Sequence, residues 1–277
     1  MSFSEAAVLL VMGLFAGTYG IIIGAGGGFV MVPLLILAWH FQPSLAVGTS
    51  LAVVFVTAVS GTFGYARSRV IDYRTGALLA LAEMPGAVLG AIAIKKAPAG
   101  LAQIIFGVFF ICLATYTALR RSVPAQAATV SASPPRSGTS RRVIVTSTGT
   151  RYEYSFRLLP AMAATAVCGV LASFFGIGGG LLRMPLLISI FRFPVPVAAA
   201  TSIFAMALST GVGVASHAQL GNIDWSVVVF AGLGVLLGAQ LGVKVSELLK
   251  QRVVITLLSL ALVASGVTLI LRGAGIF

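Results

Sequence analysis

The chain has 277 residues, 58% of them hydrophobic and only 9% charged, with 18 Lys and Arg against 6 Asp and Glu and a formal net charge of +12. A soluble domain carries about a quarter of its residues as charges, so the composition excludes an ordinary soluble fold. The basic residues lie between apolar stretches rather than on one soluble face, which excludes a nucleic-acid binder and leaves an all-α polytopic membrane protein.

Taken in order, and with about 20 apolar residues needed per crossing, hydrophobic segments are predicted at 5–24, 28–41, 44–66, 75–95 and 99–119, then at 158–176, 180–193, 195–218, 225–244 and 252–271. The start, Met1-Ser2-Phe3-Ser4-Glu5, lacks the basic region of a cleaved signal peptide. The first and second segments of each half are separated by a glycine run, Gly24-Ala25-Gly26-Gly27-Gly28 and Gly176-Ile177-Gly178-Gly179-Gly180. Glycine is a poor helix former, so each run predicts a break in the membrane. The short segment that follows forms a bent hairpin with its predecessor.

The two runs are 152 positions apart, and sliding the chain by that offset aligns 26–90 on 178–242 without a gap. Pro33-Leu34-Leu35-Ile36 falls on Pro185-Leu186-Leu187-Ile188, Thr49-Ser50 on Thr201-Ser202, Gly61 on Gly213, Ile71-Asp72 on Ile223-Asp224, and Gly86 and Gly90 on Gly238 and Gly242. This is an internal duplication. It divides the chain into a first membrane repeat, 1–121, a flexible basic linker, 122–156, rich in Ser, Thr, Pro and Ala, and a second repeat, 157–277.

Placing the linker in the cytoplasm puts Arg67, Arg69, Arg74, Arg157, Arg192 and Arg252 on the same side and leaves Lys95, Lys96 and Arg272 outside. Both termini are then periplasmic. Each half makes an odd number of crossings, so two homologous halves must be inverted relative to one another, as in many secondary transporters.

Several residues are candidates for chemistry. The amides of Gly26, Gly27, Gly28, Gly178, Gly179 and Gly180 open half-helices at the positive ends of their dipoles, a natural anion site. The hydroxyls of Thr49, Ser50, Thr201 and Ser202 can donate to an anion, whereas Thr57 and Ser209 are expected to bond their own helix. Arg183, where the first half has Met31, must face a cavity or snorkel to the interface, and is a candidate anion ligand. Glu83, where the second half has Val235, is a candidate for ion coupling, with an ion pair or an interfacial position as the alternatives.

His217, opposite Tyr65, is read as a wet interfacial residue in preference to a proton relay. Asp72 and Asp224 are read as helix N-caps, and Cys112 and Cys168 as small buried hydrophobes. Neither a nucleophilic triad, nor a paired metal-ligand motif, nor a P-loop is found, so neither an enzyme nor a cofactor or metal is expected.

The doubled pattern Gly-x-Gly-Gly-Gly-x4-Pro-Leu-Leu, then Ala-x2-Thr-Ser, then Gly-x3-Gly, repeated across a polar linker, resembles the sulfite exporter TauE/SafE family of bacterial membrane permeases. The resemblance implies export or uptake of a small sulfur-containing anion, such as sulfite or an organosulfonate, across the cytoplasmic membrane, with a proton or sodium ion as the coupling ion. Arg183 and Glu83 match no position of that pattern. The rival readings are a passive anion channel of the same fold and a non-transport assembly or sensory partner; a homodimer is left open.

Overall fold

The computed structural model describes residues 3–23, 26–119, 140–245 and 251–276. Gly24 and Ala25 of the first glycine run lie outside the described residues, as do 122–139 of the expected linker. The described residues form ten α-helices and one two-stranded hairpin. In the first half these are α1 (Phe3–Ile23), α2 (Gly28–Leu37), α3 (Pro43–Arg67), α4 (Tyr73–Lys96) and α5 (Ala99–Leu119). The second half has α6 (Leu158–Phe175), α7 (Gly180–Ser189), α8 (Val195–Gln219), α9 (Trp225–Val245) and α10 (Gln251–Gly273). Five of them, α1, α3, α4, α6 and α8, are long and apolar enough to cross a membrane. The ten predicted segments coincide with the ten helices, apart from the ends of the two short ones.

In hydrocarbon every backbone group must find its partner within the chain, which favours helices throughout. Boundaries follow local chemistry. Pro43 and Pro196 occupy the first turns of α3 and α8, where a missing N–H costs nothing. Asp72 caps α4 by accepting from the Thr75 N–H at 3.0 Å, and Asp224 caps α9 by accepting from Ser226 and Val227 at 3.0 and 3.3 Å.

Lipid supplies no hydrophobic drive between helices, so close packing rests on small residues. α1 lies on α9 and α4 on α6. A methyl added at Gly17 would sit 2.7 Å from the Val235 carbonyl oxygen, and one at Gly86 would sit 2.5 Å from that of Ala166. α5 and α10 pack antiparallel, Gly107 against Gly266 and Gly100 against Gly273. α3 and α8 form the centre and also run antiparallel, with Gly61 against Ile203 and Gly213 against Leu51. Outward faces carry exposed Val11, Phe15, Leu89, Leu101 and Leu237, suited to lipid.

One expectation needs correction. Residues 140–156, read as part of a flexible linker, form an antiparallel hairpin of β1 (Ser140–Val145) and β2 (Arg151–Phe156), with Ser140 opposite Phe156 and Val145 opposite Arg151. The polar count hid a period of two: Arg142, Ile144, Tyr152, Tyr154 and Phe156 share one face, and Arg141 and Ser155 the other. Tyr154 and Phe156 pack on Phe193 with ring centroids 4.5 and 4.7 Å apart, over Val70, Ile71 and Val197. The hairpin therefore covers the starts of α4 and α8. Cys168 is buried as expected, whereas Cys112 is exposed on the outer face of α5.

Candidate functional site

α1 and α6 each end at a glycine turn. Gly26 and Gly27 have φ of 74° and 83°, and Gly176 and Gly178 have 67° and 69°, in the left-handed region that a side chain makes costly. The chain thereby reverses into α2 and α7. These helices have ten residues each, about 15 Å, too short to cross a bilayer. Neither has a side-chain cap at its N-terminus, Gly27 or Gly179, so their first amides remain available as donors.

The two turns meet at the centre of the protein. Ser50 Oγ donates to the Gly176 carbonyl at 2.8 Å and lies 3.3 Å from that of Gly28. Gly26 and Gly178 both face Val54 and Met206, themselves 152 positions apart. Gly26, Gly28, Gly178, Gly179 and Ser50 are thus brought together. Ser202, on α8, joins them through Arg183.

Thr49 and Thr201 do something else. Thr201 Oγ1 accepts the backbone N–H of Asp72 at 3.1 Å, and Thr49 Oγ1 accepts that of Asp224 at 3.0 Å. Each central helix holds the loop of the opposite half, and the two bonds are equivalent under the 152-residue offset. Thr57 and Ser209 bond carbonyls of their own helices, Val53 at 3.0 Å and Met206 at 3.4 Å.

Arg183 and Glu83 form a buried ion pair, with 0% and 1% of their side chains exposed. Arg183 Nη1 also donates to the Ser202 carbonyl at 2.8 Å. The alternatives of snorkelling for Arg183 and an interfacial position for Glu83 are corrected: their opposite charges, set on α7 and α4, cancel in the interior where neither could stand alone. The pair lies on the first turn of α7, because a methyl added to Gly179 would run into Glu83 Oε1 and Arg183 Nη2. Three buried polar atoms in this group have no hydrogen-bond partner among the described residues: Glu83 Oε1, Arg183 Nε and Ser202 Oγ.

His217 is also corrected. It is fully buried rather than interfacial, because the loop after α8 folds back over it and the Asn222 N–H bonds its carbonyl at 2.9 Å. At the opposite end of α4, Asp72 accepts from Tyr154 Oη at 2.8 Å and lies 3.5 Å from Arg142 Nε. Burial and the neighbouring Asp72 carboxylate push the Tyr154 phenol well above the ordinary tyrosine range. Among the described residues no cluster of three His, Cys, Asp or Glu side chains could hold a metal ion.

The model of a family described as Sulfite exporter TauE/SafE matches residues 9–269. Among curated proteins, the chain is 32% identical over 276 residues to the "Probable membrane transporter protein YunE" of Bacillus subtilis, covering 96% of this chain and 97% of that one. It is 22% identical over 279 residues to a probable membrane transporter protein of Methanocaldococcus jannaschii, covering 95% of each. A "Probable membrane transporter protein ORF9" of a Sinorhizobium species is 27% identical over 270 residues, 95% of this chain and 93% of that one. No solved structure matches.

Proposed function

This chain belongs to the sulfite exporter TauE/SafE family and is a multi-pass membrane transporter, and from that premise we propose that it carries a small sulfur-containing anion, sulfite or an organosulfonate, across the cytoplasmic membrane by alternating access. The observation that carries the reading is the pair of buried donors without acceptors, Arg183 Nε and Ser202 Oγ, beside the uncapped start of α7. Leaving a buried donor unpaired costs about 1–3 kcal/mol, and an oxyanion at this point would satisfy both donors together with the Gly178, Gly179 and Gly180 amides. In the other hairpin only Gly28 approaches this turn, against the Gly176 carbonyl; the expected roles of Gly26 and Gly27 are corrected, because the Gly26 amide donates to the Gly20 carbonyl at 3.2 Å and Gly27 packs on Ala16 of α1. Ser50, Thr49 and Thr201 bond the backbone of both hairpin and loop, and in this reading they hold the frame that the anion enters.

The two halves act as inverted repeats that rock against each other. Support comes from the antiparallel crossing of the equivalent helices α3 and α8, the antiparallel pairing of α5 and α10, and the reciprocal bonds from Asp72 to Thr201 and from Asp224 to Thr49. The hairpin of β1 and β2 lies in the cytoplasm with Arg67, Arg69 and Arg157, and the termini are periplasmic. A proton or sodium gradient drives the cycle.

The test is reconstitution in proteoliposomes, with uptake of sulfite, sulfate, taurine, methanesulfonate and sulfoacetate followed under imposed proton or sodium gradients. Accumulation of one of these against its own gradient is the expected result. Flux indifferent to both cation gradients would mark a channel, and no flux of any would overturn the reading.

A further inference from the structure

Glu83 and Ser173 line one small cavity between α3, α4, α6 and α8, together with Leu51, Gly169, Ser209 and Thr210. It has room for about one water molecule. Ser173 also reaches His217, whose Nε2 lies 3.3 Å from the Ser173 hydroxyl and 3.3 Å from its carbonyl. The other ring nitrogen, Nδ1, lies 3.4 Å from Asn222 Nδ2, in the loop between α8 and α9. Glu83, Ser173, His217 and Asn222 are all buried, while the neighbouring Gly221 is exposed. A polar file therefore runs from that loop to the carboxylate of the ion pair.

The file exists on one side of the duplication alone. Glu83, Arg183, Ser173, His217 and Asn222 correspond, 152 positions away, to Val235, Met31, Ile21, Tyr65 and Val70. These five equivalents are apolar except for the Tyr65 phenol. Replacing a buried ion pair by apolar residues is often neutral or stabilising, so packing alone gives no reason to keep five polar residues here. Buried ionisable residues inside a membrane protein commonly mark ion or proton pathways.

On the anion-transport reading above, we infer that Glu83 is a proton-binding site supplied through His217 and Ser173, and that its protonation hands Arg183 over to the transported anion. With Glu83 ionised, the guanidinium is held by the carboxylate, and an anion binding there would leave the carboxylate charge buried and unpaired. With a proton on Glu83 the carboxyl is neutral. The guanidinium is then the uncompensated charge, and the anion supplies its partner.

Proton and anion thus bind together, one of each, so that a monoanion crosses without net charge. On the path inward, His217 gains a proton at Nδ1 from water at the loop, once the Asn222 amide turns aside. It releases the proton on Nε2 through Ser173 and the cavity, and an O–H bond forms on Glu83 as that N–H bond breaks. Among the described residues, the other titratable or charged groups facing Glu83 are Arg183 from α7 and Cys168 from α6. α3 presents Leu51 to the shared cavity, and α8 presents Ser209 and Thr210.

The test uses the full chain in lipid nanodiscs with methanesulfonate, a monoanion throughout the working pH range, and a pH indicator in weak buffer. Wild type should take up about one proton per anion bound, with affinity falling about tenfold per pH unit once Glu83 is ionised. Glu83→Gln should bind without proton uptake and with affinity independent of pH. Proton uptake that persists in this variant would overturn the inference.

If Glu83→Gln fails to fold, Glu83→Asp serves instead. It should shift the pH of coupling, and an unshifted profile would overturn the inference. His217→Gln should slow proton uptake by about a hundredfold, and an unchanged rate would remove the route. Should wild type bind neither methanesulfonate, sulfite nor sulfate, the anion reading itself fails. The proton site is then read from the carboxylic-acid C=O infrared band. A band that appears on acidification in wild type but not in Glu83→Gln supports the site, and its absence overturns it.

Discussion

Arg183 on α7 and Glu83 on α4, a hundred residues apart in the chain, lie with their charged groups in contact and almost no side-chain surface exposed. Each sits where the other copy of the repeat has an apolar residue, Met31 or Val235. Two departures from the repeat, of opposite charge, meet in space. The pair therefore neutralises two ions that would each be intolerable alone.

Removing one partner should cost much more than removing both. Arg183→Met leaves the Glu83 charge buried and uncompensated, and should lower stability by about 3–5 kcal/mol. The double variant Glu83→Met/Arg183→Met should recover most of that loss while remaining inactive in transport. Unfolding in detergent, followed by intrinsic fluorescence, measures the first effect, and flux in proteoliposomes the second.

Gly178 and Gly179 should respond differently to alanine. Gly178 has φ of 69°, so alanine there strains the backbone by about 1–2 kcal/mol and crowds Val54 and Met206. Gly179 is in the ordinary helical region, so Gly179→Ala adds no backbone strain but drives its methyl into the Glu83 and Arg183 head groups. Gly179→Ala should therefore lose anion binding at near-normal expression. Calorimetric titration beside a thermal melt would separate the two outcomes, and normal binding by Gly179→Ala would count against the site.

The reciprocal threonine bonds should differ in strength. Thr201→Val removes the acceptor of a buried amide, that of Asp72, at an expected cost of about 1–3 kcal/mol. Thr49→Val frees the Asp224 amide, which is only partly buried, and water can replace the hydroxyl, so the loss should be well under that of Thr201→Val. Equilibrium unfolding of the two variants side by side decides the order.

Tyr154 should ionise only well above the ordinary tyrosine range. Its phenol is raised above the ordinary range by burial first and by Asp72 second. Its stabilising effect is thus complete at neutral pH and is lost only as pH rises past about 10, where the unfolded chain gives up its proton first. Tyr154→Phe should flatten that alkaline loss. It should also speed protease cleavage at the exposed turn around Thr148, because the hairpin is then held to Asp72 by Arg142 alone.

Cysteine substitution at Thr148 and at Gly275 tests the orientation. A membrane-impermeant thiol reagent added to intact cells should label the Gly275 position and spare the Thr148 position until the cells are opened. The reverse pattern would invert the topology.

The ten helices were legible because hydrophobic length, glycine breaks and the repeat all pointed to the same boundaries. The glycine turns were legible for the same reason: a run at equal spacing in both halves, followed by Pro33 or Pro185. The Glu83 and Arg183 partnership was hidden because repetition directs attention to what is the same. Its signal lay in what differed, two lone charges of opposite sign at non-repeating positions.

His217 was misplaced because a residue near a helix end reads as interfacial until the following loop is seen to fold over it. Thr49 and Thr201 were found by their identity between halves, but identity does not reveal that a hydroxyl meets a backbone amide across the repeat. The hairpin at 140–156 escaped because its serines, threonines and arginines outweighed an alternating face of Tyr152, Tyr154 and Phe156.

The exchange between Asp72 and Thr201 also constrains how the protein is made. When the ribosome has delivered α1 to α5 into the bilayer, the amide at the start of α4 still lacks its acceptor, which lies 129 residues further along the nascent chain. Glu83, too, enters without its cation. The first half must therefore wait in the membrane incomplete, its acid and its loop attended by lipid head groups, water or insertion factors, until the second half arrives. Expressed alone it should be degraded, and supplying the missing half from a second gene should rescue it.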